Sequence, residues 1–251
     1  MRLPSRATRA VCAVAALPLA LSLAACDSGD SGSSSDSKGS AGKVSAAPSK
    51  STDPNAGVLT GTQLKQALAP VAFMPKGLTA VKDGEVDSGD EFTAPPTKTV
   101  GKPDCSKFGN TYWLDVTGLR GGVSFAQSDF TKKPDEIEQI TQELDGFRGT
   151  TAQTVMKDIR AAVAACPAFT DTELHAKVKI VGKETPGLGD EAYTITLTSP
   201  TWDNGTTLIA ARVGTSVLTL MSTAGSDNGA AAAQKVATQV VTSLKAQKPK
   251  A

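Results

Sequence analysis

One histidine, His175, and four cysteines, Cys12, Cys26, Cys105 and Cys166, are the side chains of this 251-residue sequence best suited to nucleophilic, redox or metal chemistry. With a single imidazole and at most two thiols in the later part of the chain, a zinc site of ordinary ligand type is not available. His175 lies beside Lys177 on the polar face of an expected strand, where a solvated role is the simplest one. No GxSxG elbow occurs, and the one SxxK, Ser35 to Lys38, sits in a low-complexity tract without a KTG partner. "GLGDEA" from Gly187 formally satisfies GxGxxA, but a dinucleotide site needs a helix after it, and "YTITLTS" reads as a strand. The acidic run Asp83 to Glu91 places Gly89 one position late for a calcium loop and Ala94 where a bidentate Glu is required. Carboxylate-dependent hydrolysis through Asp190 or Glu191 would need a second carboxylate at working distance. Catalytic residues, a metal and a cofactor are therefore not expected. Tyr112, Trp113 and Trp202 are the candidates for lining a ligand pocket, because aromatic side chains dominate such sites. Packing in or beside the core is their competing use.

The other chemistry is covalent attachment. Arg2, Arg6 and Arg9 precede an apolar stretch from Ala10 to Ala25 that Pro18 interrupts, the layout of a signal peptide. A spanning helix needs about 20 apolar residues without such a break. Leu23, Ala24, Ala25 and Cys26 resemble the lipobox of bacterial lipoproteins. That resemblance implies a diacylglycerol on Cys26, which becomes the mature N-terminus and anchors the chain to the outer face of the cell membrane. The alternative is an ordinary secretory signal that contains a cysteine.

From Asp27 to Gly57 the chain is rich in Ser, Gly, Asp, Ala and Pro and lacks aromatics, so it buries too little to offset its ordering entropy. It reads as a flexible tether with a reach of about 30 Å. All of the 2 Trp, 2 Tyr and 7 Phe follow it. The expected organisation is a signal peptide over 1–25, a lipidated Cys26 with its tether over 26–57, one domain over 58–247 and a tail over 248–251. With 26 Lys and Arg against 25 Asp and Glu and no basic cluster, nucleic acid is not an expected partner. In an exported domain Cys105 and Cys166 form an even pair and are expected to bond, the alternative being two buried thiols.

Periodicity then supplies the elements. Thr62 is placed to cap a short helix in which Leu64, Ala67 and Leu68 share a face before Pro70. A second helix runs over 151–166, with Val155, Ile159, Val163 and Cys166 on one stripe, and a third over 228–246 with Val236, Val240 and Leu244. "SDN" at 226–228 is expected to cap the third. "ELHAKVKIV" alternates Leu174, Ala176, Val178 and Ile180 inward. "EAYTITLTS", "TTLIAARV" and "VLTLMST", joined by "DNG" and "GTS", form a meander. "TYWLDVT" and "GVSFAQS" suggest a further strand pair. "EIEQITQELDGF" is ambiguous: Ile137, Ile140, Leu144 and Phe147 fit a helix, and Ile140 and Leu144 also fit a strand.

The succession of short helix, Cys105, strands, "ITQELDGF", a helix ending "VAACPAF", "LGDEAY", "AARVGTSVLTL" and an alanine-rich last helix resembles the extracellular sensor domain of actinobacterial serine/threonine protein kinase H and its lipoprotein relatives. The resemblance covers most of residues 58–246. It implies a Cys pair, the "DGF" segment as a strand, and a non-catalytic sensing or binding role outside the cytoplasm. This sequence departs from the kinase in carrying two domain cysteines rather than enough for two disulfides, and in showing no kinase domain and no spanning helix. The expectation is thus an α+β domain, an antiparallel sheet of about five to seven strands with helices packed on it and one disulfide. Its expected partners are the membrane through Cys26 and a small molecule, a lipid or an envelope protein. A lipid or glycolipid carrier is the alternative function.

Overall fold

A computed structural model of the chain describes residues 53–134 and 137–247. The expected signal peptide, Cys26, the tether up to residue 52 and the tail over 248–251 lie outside the described residues. The elements are α1 (Gly61–Ala67), β1 (Leu78–Ala80), β2 (Val86–Asp87), β3 (Ser124–Lys132), β4 (Gln139–Gly146), α2 (Thr151–Ala165), β5 (Ala168–Asp171), β6 (Ala176–Glu184), β7 (Glu191–Thr198), β8 (Thr206–Val213), β9 (Ser216–Ser222) and α3 (Ala230–Ala246).

One antiparallel sheet of nine strands runs in the order β1-β3-β4-β9-β8-β7-β6-β5, with β2 also paired to β3. This exceeds the five to seven strands expected from sequence. The surplus lies in β1, β2 and β5, pieces of 3, 2 and 4 residues at the sheet edges. Such runs are too short to show a period of two.

Helices cover both faces. On one, α1 and α3 bury Leu64, Val236, Val240 and Leu244 against Ile140, Leu144, Ile209, Leu218 and Leu220. On the other, α2 buries Val155, Met156 and Ile159 against Val178, Ile195, Leu197, Leu208 and Val217. Strand β8 serves both, sending Ile209 and Ala211 one way and Leu208 and Ala210 the other. This is why it reads as the unbroken apolar run "LIAA" rather than an alternation. Each large aliphatic side chain buried here stabilises the fold by about 1.5–3 kcal/mol.

Several local expectations hold and several are corrected. The first helix is capped by Thr60 rather than Thr62, because Gln63 stands where a reciprocal bond forms: Thr60 Oγ1 accepts from Gln63 N at 3.3 Å and Gln63 Oε1 accepts from Thr60 N at 3.0 Å. "TYWLDVT" is no strand. Trp113–Thr117 form a 3-10 helix that Gly118, at φ 82°, terminates. An L side chain there would be strained and would meet the Thr99 carbonyl. Strand β6 starts at Ala176, since Asp171 Oδ1 accepts from the amides of Glu173 and Leu174 and folds the preceding residues into a turn. Leu174 is consequently exposed, and His175 sits in that turn at φ 49° rather than on a strand face. Within "SDN", Asp227 caps α3 by accepting from Ala230 N and Ala231 N at 3.1 and 2.8 Å. Asn228 and the Asn of "DNG" bind each other's loops, Asn228 N donating to Asn204 Oδ1 and Gly205 N to Asn228 Oδ1.

The disulfide forms as expected. Cys105, at the start of a 3-10 turn over Cys105–Gly109, bonds Cys166 at the end of α2 with their Cα atoms 5.5 Å apart. Phe108 and Trp113 pack beside it with ring centroids 6.3 Å apart. The bond closes a sequence separation of 61 residues. Replacing both cysteines by alanine should lower the unfolding free energy by about 2–5 kcal/mol in chemical denaturation. An unchanged midpoint would mean that packing alone holds this corner.

Candidate functional site

Strand β4 is the most unusual element chemically. Its sequence QITQELDG is buried at every position. Ile140 and Leu144 enter the apolar layer beneath α1 and α3, and Gln142 on the same face is fully engaged. Its Oε1 accepts from Ala69 N at 3.0 Å, and its Nε2 donates to the Ala69 carbonyl at 2.7 Å and to Ser128 Oγ at 2.8 Å. Gln139, Thr141, Glu143 and Asp145 project from the opposite face, because side chains alternate along a strand.

Register extends that second face across the sheet. Glu143 stands opposite Gln127 of β3 and Thr219 of β9, and the same row continues to Val86 of β2. Thr141 stands opposite Asp129 and Met221, and Asp145 opposite Phe125 and Val217. Gln139 faces Thr131. On the α2 side, therefore, β6 to β8 present an apolar surface, and β3 and β4, with Thr219 of β9 between apolar Val217 and Met221, present a wall of amides, hydroxyls and carboxylates. Relative exposures of 0% for Asp145, 2% for Thr219, 3% for Gln127 and 6% for Glu143 show that the wall is withdrawn from bulk solvent.

Burying such groups costs free energy unless they are paired. Asp145 Oδ1 accepts from Gly122 N at 2.7 Å, a contact made possible by Gly121 at φ 84°, whose missing Cβ would lie 3.0 Å from that oxygen. Gln127 Nε2 donates to both oxygens of Asp129 at 3.0 and 3.1 Å. Thr219 Oγ1 is buried without a hydrogen-bond partner. Asp129, Glu143 and Asp145 are engaged by other groups, whereas Thr219 Oγ1 keeps unused hydrogen-bonding capacity. The wall contains no nucleophile paired with a base, and no group of three His, Cys, Asp or Glu among the described residues could hold a metal ion.

The residues singled out from sequence sit elsewhere. Trp113 is fully buried in the apolar layer and Trp202 packs against the same cluster half-buried, each with an indole N–H lacking a partner, while Tyr112 is 45% exposed. Asp190 and Glu191 belong to an arginine network. Arg212 Nε donates to Glu191 Oε1 at 2.7 Å and its Nη1 to Asp190 Oδ2 at 3.0 Å, while Arg160 Nη1 of α2 donates to Glu191 Oε2 at 2.9 Å. Arg160 also grips Glu184 and lies over the Tyr193 ring, 5.6 Å from its centroid. Through Arg160, Glu184 and Glu191 dock α2 on the sheet, while Asp190 holds Arg212 and the Gly214 amide. The acidic run is similarly occupied: Lys65 pairs with Glu85 and Asp87, and Asp87 accepts from Gly89 N. Two surface grooves are present: one of about 590 Å³ by Lys177, Lys179, Thr198 and Pro200, and one of about 220 Å³ between the turn at Gly187 and α3. Sequence reasoning missed the wall. Its signal was the alternation of polar residues at 139, 141, 143 and 145 with apolar Ile140 and Leu144, which the ambiguity of the same segment between helix and strand obscured.

The hydrogen bond from Arg160 holds the Glu184 carboxyl below its ordinary value of 4.5. A carboxyl depressed in the folded state contributes stability above its unfolded value and loses that contribution as pH falls through the folded one. Arg160→Met should therefore lower Tm at neutral pH and flatten the decline of Tm below pH 4.5, read by thermal denaturation across pH. Parallel Tm curves for the two proteins below that pH would show that the pair is energetically idle.

Among known proteins, no family model matches the chain and no curated sequence is similar to it. A solved structure is: the extracellular domain of PknH from Mycobacterium tuberculosis superposes with a TM-score of 0.55 at 13% sequence identity, covering 76% of this chain and 98% of that one. At that identity the likeness is one of fold, an antiparallel α+β sheet with helices packed on it.

Proposed function

We propose that this chain is a non-catalytic, sensor-like binding domain that works outside the cytoplasm, tethered to the membrane by a lipid on Cys26, with the polar wall of β3, β4 and β9 as its ligand contact. The observation that carries the reading is the buried row Gln127, Glu143 and Thr219 beside Asp145. A protein that only had to fold would gain stability from an apolar side chain at Thr219, whose buried hydroxyl has no partner, because an unpaired buried polar group costs about 1–3 kcal/mol. Retaining polar groups at such a site fits a surface kept for recognition.

Two further features support this over the alternatives. A carrier of lipid acyl chains needs a dry apolar cavity, whereas this wall is polar. A hydrolase would use Asp190 or Glu191, and both are engaged by arginines, Asp190 by Arg212 of β8 and Glu191 by Arg212 and by Arg160 of α2. The fold shared with an extracellular domain, the signal-type N-terminus and the bonded cysteine pair agree with export.

Anchoring and binding are separable. Cys26→Ser should move the protein from the membrane fraction to the medium, since membrane attachment rests on the acyl chains; unchanged retention would remove the anchor. For binding, a thermal-shift screen of polar metabolites should yield a ligand whose stabilisation disappears in Glu143→Gln while the variant keeps its own cooperative transition. A ligand insensitive to that substitution would place the contact elsewhere.

A further inference from the structure

We propose that the bare face of β5, β6 and β7, on the α3 side of the sheet, is a docking surface for a linear acidic glycan. This face is separate from the polar wall, and the inference does not depend on the reading of that wall.

Incomplete helical cover leaves the face open. On that side of the sheet α1 packs on β3 and β4, and α3 packs on β8 and β9. Val178 and Ile180 of β6 and Ile195 and Leu197 of β7 are buried on the α2 side, so Lys177, Lys179, Val181 and Lys183 point the other way and are exposed. Thr198, Thr196 and Thr194 stand across from Lys179, Val181 and Lys183, while Ala168 and Thr170 of β5 flank Lys179 and Lys177. Both surface grooves open here, at the two ends of the β6–β7 pair: one by Lys177, Lys179, Thr198 and Pro200, the other between the Gly187 turn and Lys245 of α3. With a helix about 10 Å across along its side, the face is the floor of a trough.

Charge on the floor and on the flanking helix has one sign. Glu184 of β6 and Glu191 of β7 face α2, where arginines hold them, and Asp171 of β5 closes the turn before β6. The 17 residues of α3 include Lys235 and Lys245 and no acid. Glu173, Asp190 and Asp203 lie in turns beyond the strand ends, Asp190 already on Arg212. Lys65, Lys98 and Lys132 elsewhere pair with carboxylates, whereas Lys177, Lys179 and Lys183 make no ion pair among the described residues. The chain as a whole has formal net charge +1, so this positive field is local to the trough. In sequence the three lysines are interleaved with Val178, Ile180 and Gly182 and form no run; only the strand gathers them.

Shape and lining select the occupant. From Lys177 to Lys183 the strip runs about 20 Å, a path that a linear chain of repeated negative charges can follow and a single small anion cannot span. Thr194, Thr196, Thr198 and Ser199 set hydroxyls beside the lysines, and a hydroxyl both donates and accepts hydrogen bonds, as those of a sugar do. Tyr193, Trp202 and Phe169 pack with the α2-side cluster, so among the described residues no aromatic ring is offered on this face and recognition rests on charge. A flat bilayer would rest on α3 and meet the floor only at the lysine tips, because the helix stands above the sheet by about its own diameter.

Isothermal titration of the full chain with heparin, a linear sulfated glycan, provides the test, with neutral dextran as the parallel titrant. Heparin should bind and dextran should not, and the heparin affinity should fall steadily as sodium chloride is added. Lys177→Gln, Lys179→Gln and Lys183→Gln combined should weaken heparin by about tenfold, each exposed ion contact being worth about a factor of two, with Tm unchanged. Lys76→Gln, Lys102→Gln and Lys157→Gln combined remove the same charge from exposed positions outside the trough and should leave the affinity within about twofold. Equal weakening by the two triple variants would mean that binding follows net charge and would overturn the proposal. The absence of heparin binding, or equal affinity for dextran, would do the same. Displacement of heparin by phosphatidylglycerol vesicles at matched charge, but not by phosphatidylcholine vesicles, would give the face to a bilayer and overturn the glycan assignment; displacement by inorganic phosphate at matched charge would give it to a small anion, with the same consequence.

Discussion

Everything in this fold depends on the ladder between β4 and β9. Seven register pairs, Ile140 with Ser222 through Gly146 with Ser216, join residues 82 to 70 positions apart in sequence. On one side of that seam lie β1 to β4, built from the first half of the domain, and on the other the antiparallel succession β5 to β9. Without the seam neither part could close its core, since α3 packs on β8 and β9 while α1 packs on β3 and β4, and the apolar cluster they share spans both. Closing so long a loop is entropically expensive, and the buried Ile140, Leu144, Leu218 and Leu220 offset that cost.

The same seam creates the asymmetry that carries the functional reading. Along β4 the side chains facing α1 and α3 are apolar or, for Gln142, completely hydrogen-bonded, so that face does nothing but hold the sheet together. The face toward α2 collects Glu143, Asp145, Gln127 and Thr219 from three strands at adjacent register positions. Apolar packing and polar side chains are thus divided between the two faces of one strand. The division lets the wall stay polar without loosening the core behind it.

Holding α2 over only part of the sheet is what leaves the wall uncovered by an apolar helix. The disulfide fixes its C-terminus to Cys105, and Arg160 binds Glu184, Glu191 and the Tyr193 ring on β6 and β7. These contacts lie at the end of the sheet away from β3 and β4. A helix secured there presents Val155 and Ile159 to the apolar strands and cannot shift sideways over the carboxylates without breaking a covalent bond.

What the sequence determined by itself was local. Alternation in β6, the turn-separated strands of the meander, the four-residue stripe of α2, the Asp227 cap and an even cysteine pair are all set by neighbours within a few residues, and each is legible in the chain. Thr60 was misjudged by two positions for the same kind of reason: the reciprocal bond from Gln63 is short-range, and the capping residue is the one three positions before it. Tertiary structure decided what periodicity leaves degenerate. Residues 137–147 carry apolar side chains compatible with both a helix and a strand, and pairing with β3 and β9 selects the strand because only that conformation satisfies the backbone amides of all three. That one selection turns Gln139, Thr141, Glu143 and Asp145 to a common face, whereas a helix would have distributed them around its circumference. Burial of Trp113 and exposure of Tyr112, its neighbour in sequence, follow from where a 3-10 turn meets α2. No spacing rule along the chain contains that information, because it arises from contacts between segments that are distant in sequence.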